Sequence, residues 1–178
     1  LYCNAGMYLV DLKKWREEKV EDKIIKRIHE QNGNVFFFEQ TLMNWSCSGK
    51  ILQLPPKYNA YTLFWAFTYK NLICWRKPNA FYLESEVEEA KDNPIIIHFT
   101  RNFYMLSRPG IKGCDHPKTK EYVKYKLLTP WKQLEEDNRS KKSIRRYKLW
   151  HIIPQRILAI GAGVIYNEVR PKLWWKNE

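Results

Sequence analysis

Residues 1–16, LYCNAGMYLVDLKKWR, join an apolar segment to an amphipathic helix. The first ten residues are apolar apart from Asn4, which predicts a short buried strand, a turn at residues 4–6 and a second strand. Asp11 can cap the following helix, which is predicted to end at Asn32-Gly33. A buried Asn needs a polar partner, so Asn4 either bonds a ligand hydroxyl or holds the turn.

Farther along the chain, helix patterns and strand patterns follow one another. Residues 95–99 (IIIHF) are so uniformly apolar that they predict a central strand buried on both faces. The other predicted elements are a helix over 39–45, a strand over 50–54, an irregular aromatic stretch over 57–83, an acidic helix over 84–92, a loop over 100–117 and a helix over 118–128.

The composition is that of a globular protein, and 178 residues are enough for one domain with a sizeable core. The chain begins with Leu1, in what reads as the middle of a strand, so we expect it to be part of a longer protein. Its four cysteines show no C-x-x-C spacing, which argues against a zinc knuckle and favours reduced, buried thiols.

The positive charge is concentrated in residues 139–178, which hold ten Lys or Arg and two Asp or Glu. We therefore divide the chain into a globular part, residues 1–138, and a basic, partly helical tail, residues 139–178. The tail contains an apolar helix, predicted from about residue 149 to 166, which is shorter than the ~20 residues that span a bilayer. Trp150, Trp174 and Trp175 flank it with basic residues, which favours an interfacial membrane anchor. A helix packed on the domain and an RNA-binding tail are the alternatives.

His98 lies at the carboxyl end of the predicted central strand, where open α/β sheets build their ligand sites. A neutral imidazole there can bind a divalent metal ion. The alternative is a core histidine bonded to a backbone carbonyl. Arg101 and Arg108 follow in the loop, and their guanidinium groups suit a diphosphate. A metal ligand followed by a basic loop indicates a pyrophosphate site.

Glu39 and Gln40 begin the short helix predicted over 39–45. A carboxylate and an amide there can stabilise a sugar that leaves its phosphate, and the alternative is a helix-initiating pair near the surface. The acidic helix over 84–92 has the spacing of a solvated face, and we assign it no catalytic role.

Four ordered segments resemble glycosyltransferase family 8, which includes bacterial lipopolysaccharide galactosyltransferases and the glycogenins. Residues 4–16 (NAGMYLVDLKKWR) are similar to the family signature N-A-G-hydrophobic-(N/D)-L-K-K-W-R. Residues 39–44 (EQTLMN) resemble its D-Q-D-x-L-N motif, and residues 54–59 (LPPKYN) resemble its L-P-x-x-(Y/F)-N segment. Residues 96–100 (IIHFT), followed by Arg108-Pro109, resemble its I-I-H-F-x-G…K-P-W close.

The resemblance covers residues 2–131 and implies the C-terminal portion of a GT-A fold, the α/β fold of the nucleotide-diphospho-sugar transferases. Members hold a UDP-sugar with Mn²⁺ (or Mg²⁺), bound by a D-x-D pair and a later histidine, and they retain the anomeric configuration. No D-x-D pair occurs in the 178 residues. The nucleotide-binding half of such a fold would precede residue 1, so we expect this chain alone to be inactive.

Residue by residue, the resemblance implies one metal ligand, His98. It implies two catalytic positions, Gln40 beneath the reacting anomeric carbon and Glu39 in place of an aspartate. The positions that bind the donor and the acceptor are Asn4, Ala5, Gly6, Arg101 and Arg108. The last of these replaces a lysine on the diphosphate, and Arg101 replaces a frequent glycine.

These matches imply a hexosyltransferase that uses a UDP-sugar donor. The acceptor would be a saccharide or a lipid-linked saccharide in bacterial surface polysaccharide or lipopolysaccharide synthesis. We expect the protein in the cytoplasm, peripheral on the inner membrane face through residues 139–178, with no nucleic-acid partner. The alternatives are a basic nucleic-acid-binding domain, whose affinity would fall steeply with salt, and a non-catalytic remnant.

Overall fold

The computed structural model describes residues 2–76, 78, 80–100, 104, 108–169 and 172. Its helices and strands, in chain order, are α1 (Leu12–Glu17), α2 (Val20–Glu30), α3 (Phe38–Ser46), β1 (Ala60–Tyr61), α4 (Leu63–Ala66), α5 (Tyr69–Arg76), α6 (Glu84–Asp92), β2 (Ile97–His98), α7 (Thr119–Lys126), α8 (Lys141–Ile152) and α9 (Gln155–Val164). A 3₁₀ turn at Pro56–Asn59 precedes β1, and a π turn at Ile165–Val169 follows α9. This mixture is compatible with the predicted α/β class.

β1 and β2 form a parallel pair that organises the middle of the chain, with Tyr61 opposite His98. Thr62 extends the pairing, because its N–H donates to the His98 carbonyl over 3.2 Å and its hydroxyl accepts the Thr100 N–H over 2.9 Å. Thr62 is 1% exposed and Ala60 is fully buried. The end of β2 is therefore fixed from the protein interior.

The core lies around β1, between helices α4, α5, α6 and α9. Its buried residues are Ala60, Leu63, Phe64, Ala66, Phe67, Leu72, Trp75, Val87, Ala90 and Ala159. Most of them come from residues 57–83. This stretch contains β1, α4 and α5, so the prediction that it is irregular was wrong. α4 has four residues and α5 has eight, which is too short for an apolar period to stand out in the sequence.

Most of the residues predicted as strands lie outside strands. Residues 2–10 and 50–54 have no strand assignment. The predicted strand over 95–99 is reduced to Ile97–His98, and Ile95 is 57% exposed, so the prediction of burial on both faces was wrong. An apolar run becomes a strand only where a neighbour supplies ladder hydrogen bonds, and β1 supplies two residues.

The helices were predicted more closely than the strands. Asp11 caps α1 as predicted, its carboxylate accepting two backbone N–H bonds over 3.0 and 3.1 Å. The predicted continuous helix divides into α1 and α2 at Lys19, whose φ of 50° cannot continue a right-handed helix. Glu18 forms an ion pair with Lys50 beside this break. α6 has the predicted bounds, and α7 lies within the predicted 118–128.

The segment predicted as a tail forms α8 and α9, so the single apolar helix expected over 149–166 was wrong. Pro154 divides it, because proline cannot donate to the preceding turn. α8 carries the basic run and α9 the apolar part. Among the described residues no single helix is long and apolar enough to cross a membrane. α8 and residues 155–169 meet the length and composition together but are bent by 113°.

α9 packs against α5, the arrangement that the sequence left open as an alternative to membrane contact. Ala159 is part of the core. The Gln155 amide donates to a carbonyl of α4 over 2.8 Å and accepts from Asn71 over 2.6 Å. A Cβ atom on Gly163 would lie 2.8 Å from the carbonyl oxygen of Trp75. The two helix backbones therefore approach so closely that only glycine fits at this position.

Gly163→Ala should lower the free energy of unfolding by about 1–3 kcal/mol, because the new methyl group meets backbone and α9 must shift. The matched control is Gly161→Ala on the same helix, where an added Cβ has nothing within 4 Å. The control should be neutral or stabilising by up to about 1 kcal/mol. Urea unfolding of both variants measures the difference, and equal losses would contradict the close packing.

His116 is a buried histidine, 3% exposed, whose ring packs against Trp65 and Phe99 with centroid distances of 5.1 and 4.8 Å. Its Nδ1 accepts the Lys118 N–H over 3.1 Å, so the proton of the neutral ring lies on Nε2. Burial lowers the pKa of His116 from 6.5 to about 4, against the smaller opposing effect of Asp115. The folded chain therefore holds this ring neutral.

The free energy of unfolding should fall by about 3 kcal/mol through His116 as the pH is lowered from 7 to 4. The unfolded chain protonates this group near 6.5 and the folded chain only near 4, so the stability present above pH 6.5 is lost as the pH falls. His116→Gln keeps an acceptor for the Lys118 N–H but does not titrate. Urea unfolding from pH 7 to 4 should give a shallower profile for this variant than for His29→Gln, a change at an exposed histidine. Parallel profiles would contradict the assignment.

Candidate functional site

The segment predicted to face the sugar and the acceptor lies against the N-terminal part of α3. The Oε1 atom of Gln40 accepts two hydrogen bonds, from Asn4 Nδ2 and from the backbone N–H of Ala5, each over 3.2 Å. One turn later, the Asn44 amide bonds both the N–H and the carbonyl of Cys3, over 2.6 and 2.8 Å. The side-chain amides of Gln40 and Asn44 thus form the hydrogen bonds with residues 3–5 that a neighbouring strand would form in a sheet.

Asn59 connects this segment to the candidate metal ligand. Its Nδ2 donates to Asn4 Oδ1 over 2.8 Å, and its Oδ1 lies 3.0 Å from His98 Nδ1. Asn4 Oδ1 also accepts the backbone N–H of Gly6 over 2.9 Å. Gln40, Asn4, Asn59 and His98 therefore form one hydrogen-bonded chain, which we call the amide chain.

The amide chain brings together five of the eight site residues inferred from the sequence: Asn4, Ala5, Gly6, Gln40 and His98. Asn59 was not among them, although the LPPKYN segment contains it. Its position was the available signal, since it directly precedes β1, and β1 pairs with the strand that ends at His98. An asparagine before a strand has many local uses, so the sequence did not single it out.

Gly6 lies so close to His98 and Asn59 that a side chain at this position would push them away. A Cβ there would lie 2.5 Å from His98 Nδ1 and 2.7 Å from Asn59 Oδ1. Real Cβ atoms do not approach other atoms this closely. The absence of a side chain at residue 6 therefore lets the backbone lie against the hydrogen bond between Asn59 and His98.

His98 is half-buried at the end of β2, and its ring nitrogen bonds a side-chain amide instead of a backbone carbonyl. Burial lowers the pKa of His98 below its usual 6.5, which favours the neutral ring that binds metals. Within the described part of the chain, no group of three or more His, Cys, Asp or Glu is placed to hold a metal ion. His98 therefore fits the role of one ligand, and this part of the chain offers no complete set.

Glu39 and Gln40 differ in their surroundings. Glu39 is exposed in the first turn of α3, and its charge adds to burial in raising the pKa of Tyr8. Gln40 is half-buried, and both lone pairs of its Oε1 accept hydrogen bonds from residues 4 and 5. Its Nε2 group has no hydrogen-bond partner among the described residues and is the part that can bond a ligand.

Arg108, one of the two arginines predicted on the diphosphate, is not part of the amide chain. Arg108 is exposed and has no hydrogen-bond or ion-pair partner among the residues that the structure describes. Arg101 lies outside the described residues. Both roles therefore stay predictions.

An open groove of about 480 Å³ lies between α7 and the segment around β2. It is lined by Asp92, Asn93, Pro94, Ile95, Ile97, Phe99, Lys118, Glu121, Tyr122 and Tyr125. Ile97 and Phe99 alternate with His98 along the chain and so lie on the other face. None of the inferred site residues that the structure describes lines this groove.

The model of the family described as glycosyl transferase family 8 matches residues 1–103. Among curated proteins, the chain is 25% identical to General stress protein A of Bacillus subtilis over 132 residues, which cover 73% of this chain and 42% of that protein. It is 29% identical to lipopolysaccharide 1,2-glucosyltransferase of Escherichia coli over 171 residues, which cover 93% of this chain and 45% of that protein.

A third relative, described as a putative glycosyltransferase of Haemophilus influenzae, is 32% identical over 78 residues, 43% of this chain and 24% of that protein. The chain thus spans less than half the length of these relatives. No solved structure matches it.

Proposed function

The chain belongs to glycosyl transferase family 8, and we propose that it forms the C-terminal part of a retaining hexosyltransferase with a GT-A fold. The donor is a UDP-sugar. The acceptor is a saccharide or lipid-linked saccharide of bacterial surface polysaccharide or lipopolysaccharide. The observation that carries this proposal is the amide chain, which joins residues from four separate family motifs in one hydrogen-bonded surface.

In this proposal His98 is one ligand of a divalent cation, Mn²⁺ or Mg²⁺. A divalent cation in such a site neutralises the charge that develops on the UDP leaving group. The remaining ligands come from outside the 178 residues, which contain no D-x-D pair. Arg108 and Arg101 supply positive charge for the diphosphate, as guanidinium groups do at other phosphate sites.

Asn4 and Gln40 face the sugar. Asn4 is exposed and uses one of its two amide N–H groups on Gln40, so the other is left for a sugar hydroxyl. Gln40 presents its Nε2 group in the same way. For Oε1 of Gln40 to reach the anomeric carbon, a donor from residue 4 or 5 would have to release it. In this proposal Gln40 has two roles: its oxygen positions residues 4 and 5, and its side chain lies beneath the reacting anomeric carbon.

The membrane part of the proposal concerns α8 and α9. The exposed side of these helices combines basic residues with large apolar ones: Lys141, Lys142, Arg145, Arg146, Lys148, Leu149, Ile152, Ile157 and Ile160. Cations attract the anionic lipids of the cytoplasmic leaflet, and apolar side chains enter the interface. We place the protein in the cytoplasm on the inner membrane face, where lipid-linked acceptors are available.

His98→Ala in the intact enzyme should reduce Mn²⁺-dependent release of UDP from a UDP-sugar by about 100-fold or more. Removing a metal ligand should cost at least as much as removing a residue that supports one. His29→Ala, at an exposed histidine of α2, is the matched control and should retain activity. Release measured with UDP-glucose and UDP-galactose also identifies the donor. Unchanged UDP release in His98→Ala would contradict the role of His98 as a metal ligand. A protein that releases no UDP but binds nucleic acid would favour the alternative of a nucleic-acid-binding domain.

Replacing Arg145, Arg146 and Lys148 on α8 by Gln should reduce flotation of the protein with vesicles that contain anionic lipid. Each cation near such a surface contributes about 1 kcal/mol, so the loss should be large and should fade as salt is raised. The matched control replaces three cations of α7, Lys120, Lys124 and Lys126. Equal flotation of the two triple variants would contradict attachment through residues 139–178.

A further inference from the structure

The orientation of two amides in the amide chain, those of Asn4 and Gln40, is determined by backbone donors. The N–H of Gly6 points at Asn4 Oδ1 over 2.9 Å, and the N–H of Ala5 points at Gln40 Oε1 over 3.2 Å. A backbone N–H donates and never accepts, so the atoms that face them must be oxygens. The two backbone donors therefore determine which end of the Asn4 amide and which end of the Gln40 amide is the oxygen.

The orientation of the Asn4 amide in turn determines the orientation of the Asn59 amide. Because Asn4 Oδ1 accepts, the atom of Asn59 that lies 2.8 Å from it must be the Nδ2 donor. The other end of the Asn59 amide is then an oxygen, 3.0 Å from His98 Nδ1. An amide oxygen accepts and never donates, so the hydrogen of this bond belongs to the histidine.

A neutral imidazole has one N–H group. In water, histidine prefers to have it on Nε2. The amide chain requires it on Nδ1, which leaves Nε2 with a bare lone pair. The packing around residue 6 permits this hydrogen bond, since Asn59 and His98 lie against a glycine that has no Cβ to separate them.

We propose that Asn59 is a positioning residue that fixes the proton of His98 on Nδ1 and thereby presents Nε2 as the ligand atom. The purpose of the lone pair rests on the proposed function, in which Nε2 binds the divalent cation. The proton assignment does not, because it follows from hydrogen bonds within the chain. Metal-binding histidines commonly donate their second N–H to such an outer partner.

The test is nuclear magnetic resonance of the chain labelled with ¹⁵N at histidine, without metal, at a pH of about 8, where histidines are neutral. Long-range ¹H–¹⁵N correlations distinguish a protonated ring nitrogen from a bare one. The chain has four histidines, so each ring can be assigned by single substitution. His116 provides an internal standard for the opposite tautomer, since its Nδ1 accepts a backbone N–H.

We expect a protonated Nδ1 and a bare Nε2 for His98 in the unaltered chain. Asn59→Ala should transfer much of the population to the Nε2–H tautomer. Asn71→Ala is the matched control, because the Asn71 amide is also half-buried and donates to a side-chain oxygen, that of Gln155, over 2.6 Å. The control should leave the ring signals of His98 unchanged.

Two variants of Asn4 keep the test decisive if Asn59→Ala fails to fold. Asn4→Asp retains the acceptor that orients Asn59 and should retain the Nδ1–H tautomer. Asn4→Ala removes that acceptor, so Asn59 is free to rotate its amide and His98 should show a mixture. A bare Nδ1 in the unaltered chain, or the same tautomer in Asn4→Asp and Asn4→Ala, would overturn the proposal.

In the intact enzyme, Asn59→Ala should raise the Mn²⁺ concentration needed for half-maximal UDP release by about 10–100-fold. An unchanged Mn²⁺ requirement would overturn the positioning role. If the expected tautomers are found but the enzyme releases no UDP with any donor, the proposed function fails while the proton assignment stands. The two failures are therefore distinguishable.

Discussion

The parallel pairing of β1 with β2 is the constraint on which both the core and the candidate site depend. It is two residues long, yet it joins parts of the chain that are 37 residues apart and is closed at one end by the buried Thr62. Asn59 lies two residues before Tyr61, the partner of His98 in this pair, and the side chains of Asn59 and His98 are hydrogen-bonded across it. A shift of one residue would turn every side chain of a strand to its other face and separate them.

The sequence predicted the elements that have local signals. Asp11 at a helix start and Asn93-Pro94 at a helix end are cues that belong to the residues themselves, and α1 and α6 follow them. α4 and α5 are too short to show a period, and residues 95–99 lack the strand partners that would make the whole run a strand. Those outcomes depend on distant contacts, which a single sequence does not display.

The part of the candidate site to which the family motifs assign a role could be predicted from the sequence. Asn4, Gln40 and His98 were inferred from three motifs, and the structure joins them. The connection itself was not predictable, because it passes through Asn59, whose role arises from strand register. The wall that results is built from neutral amides in a chain of net charge +12. Hydrogen bonds between amides contribute about 0.5–1.5 kcal/mol each and are not screened by salt as ion pairs are.

The contact of α9 with α5 has a consequence for truncation. A chain cut after residue 138 would lose Ala159 from the core and the Gln155 oxygen that the Asn71 amide bonds. The surface of Trp75 now covered by Gly163 would also be uncovered. Aggregation of such a shortened chain would carry it into the same pellet as membranes. Sedimentation of a deletion mutant would therefore reflect exposure of the core as much as lipid binding. Substitution of individual residues is the better test of what the basic segment does.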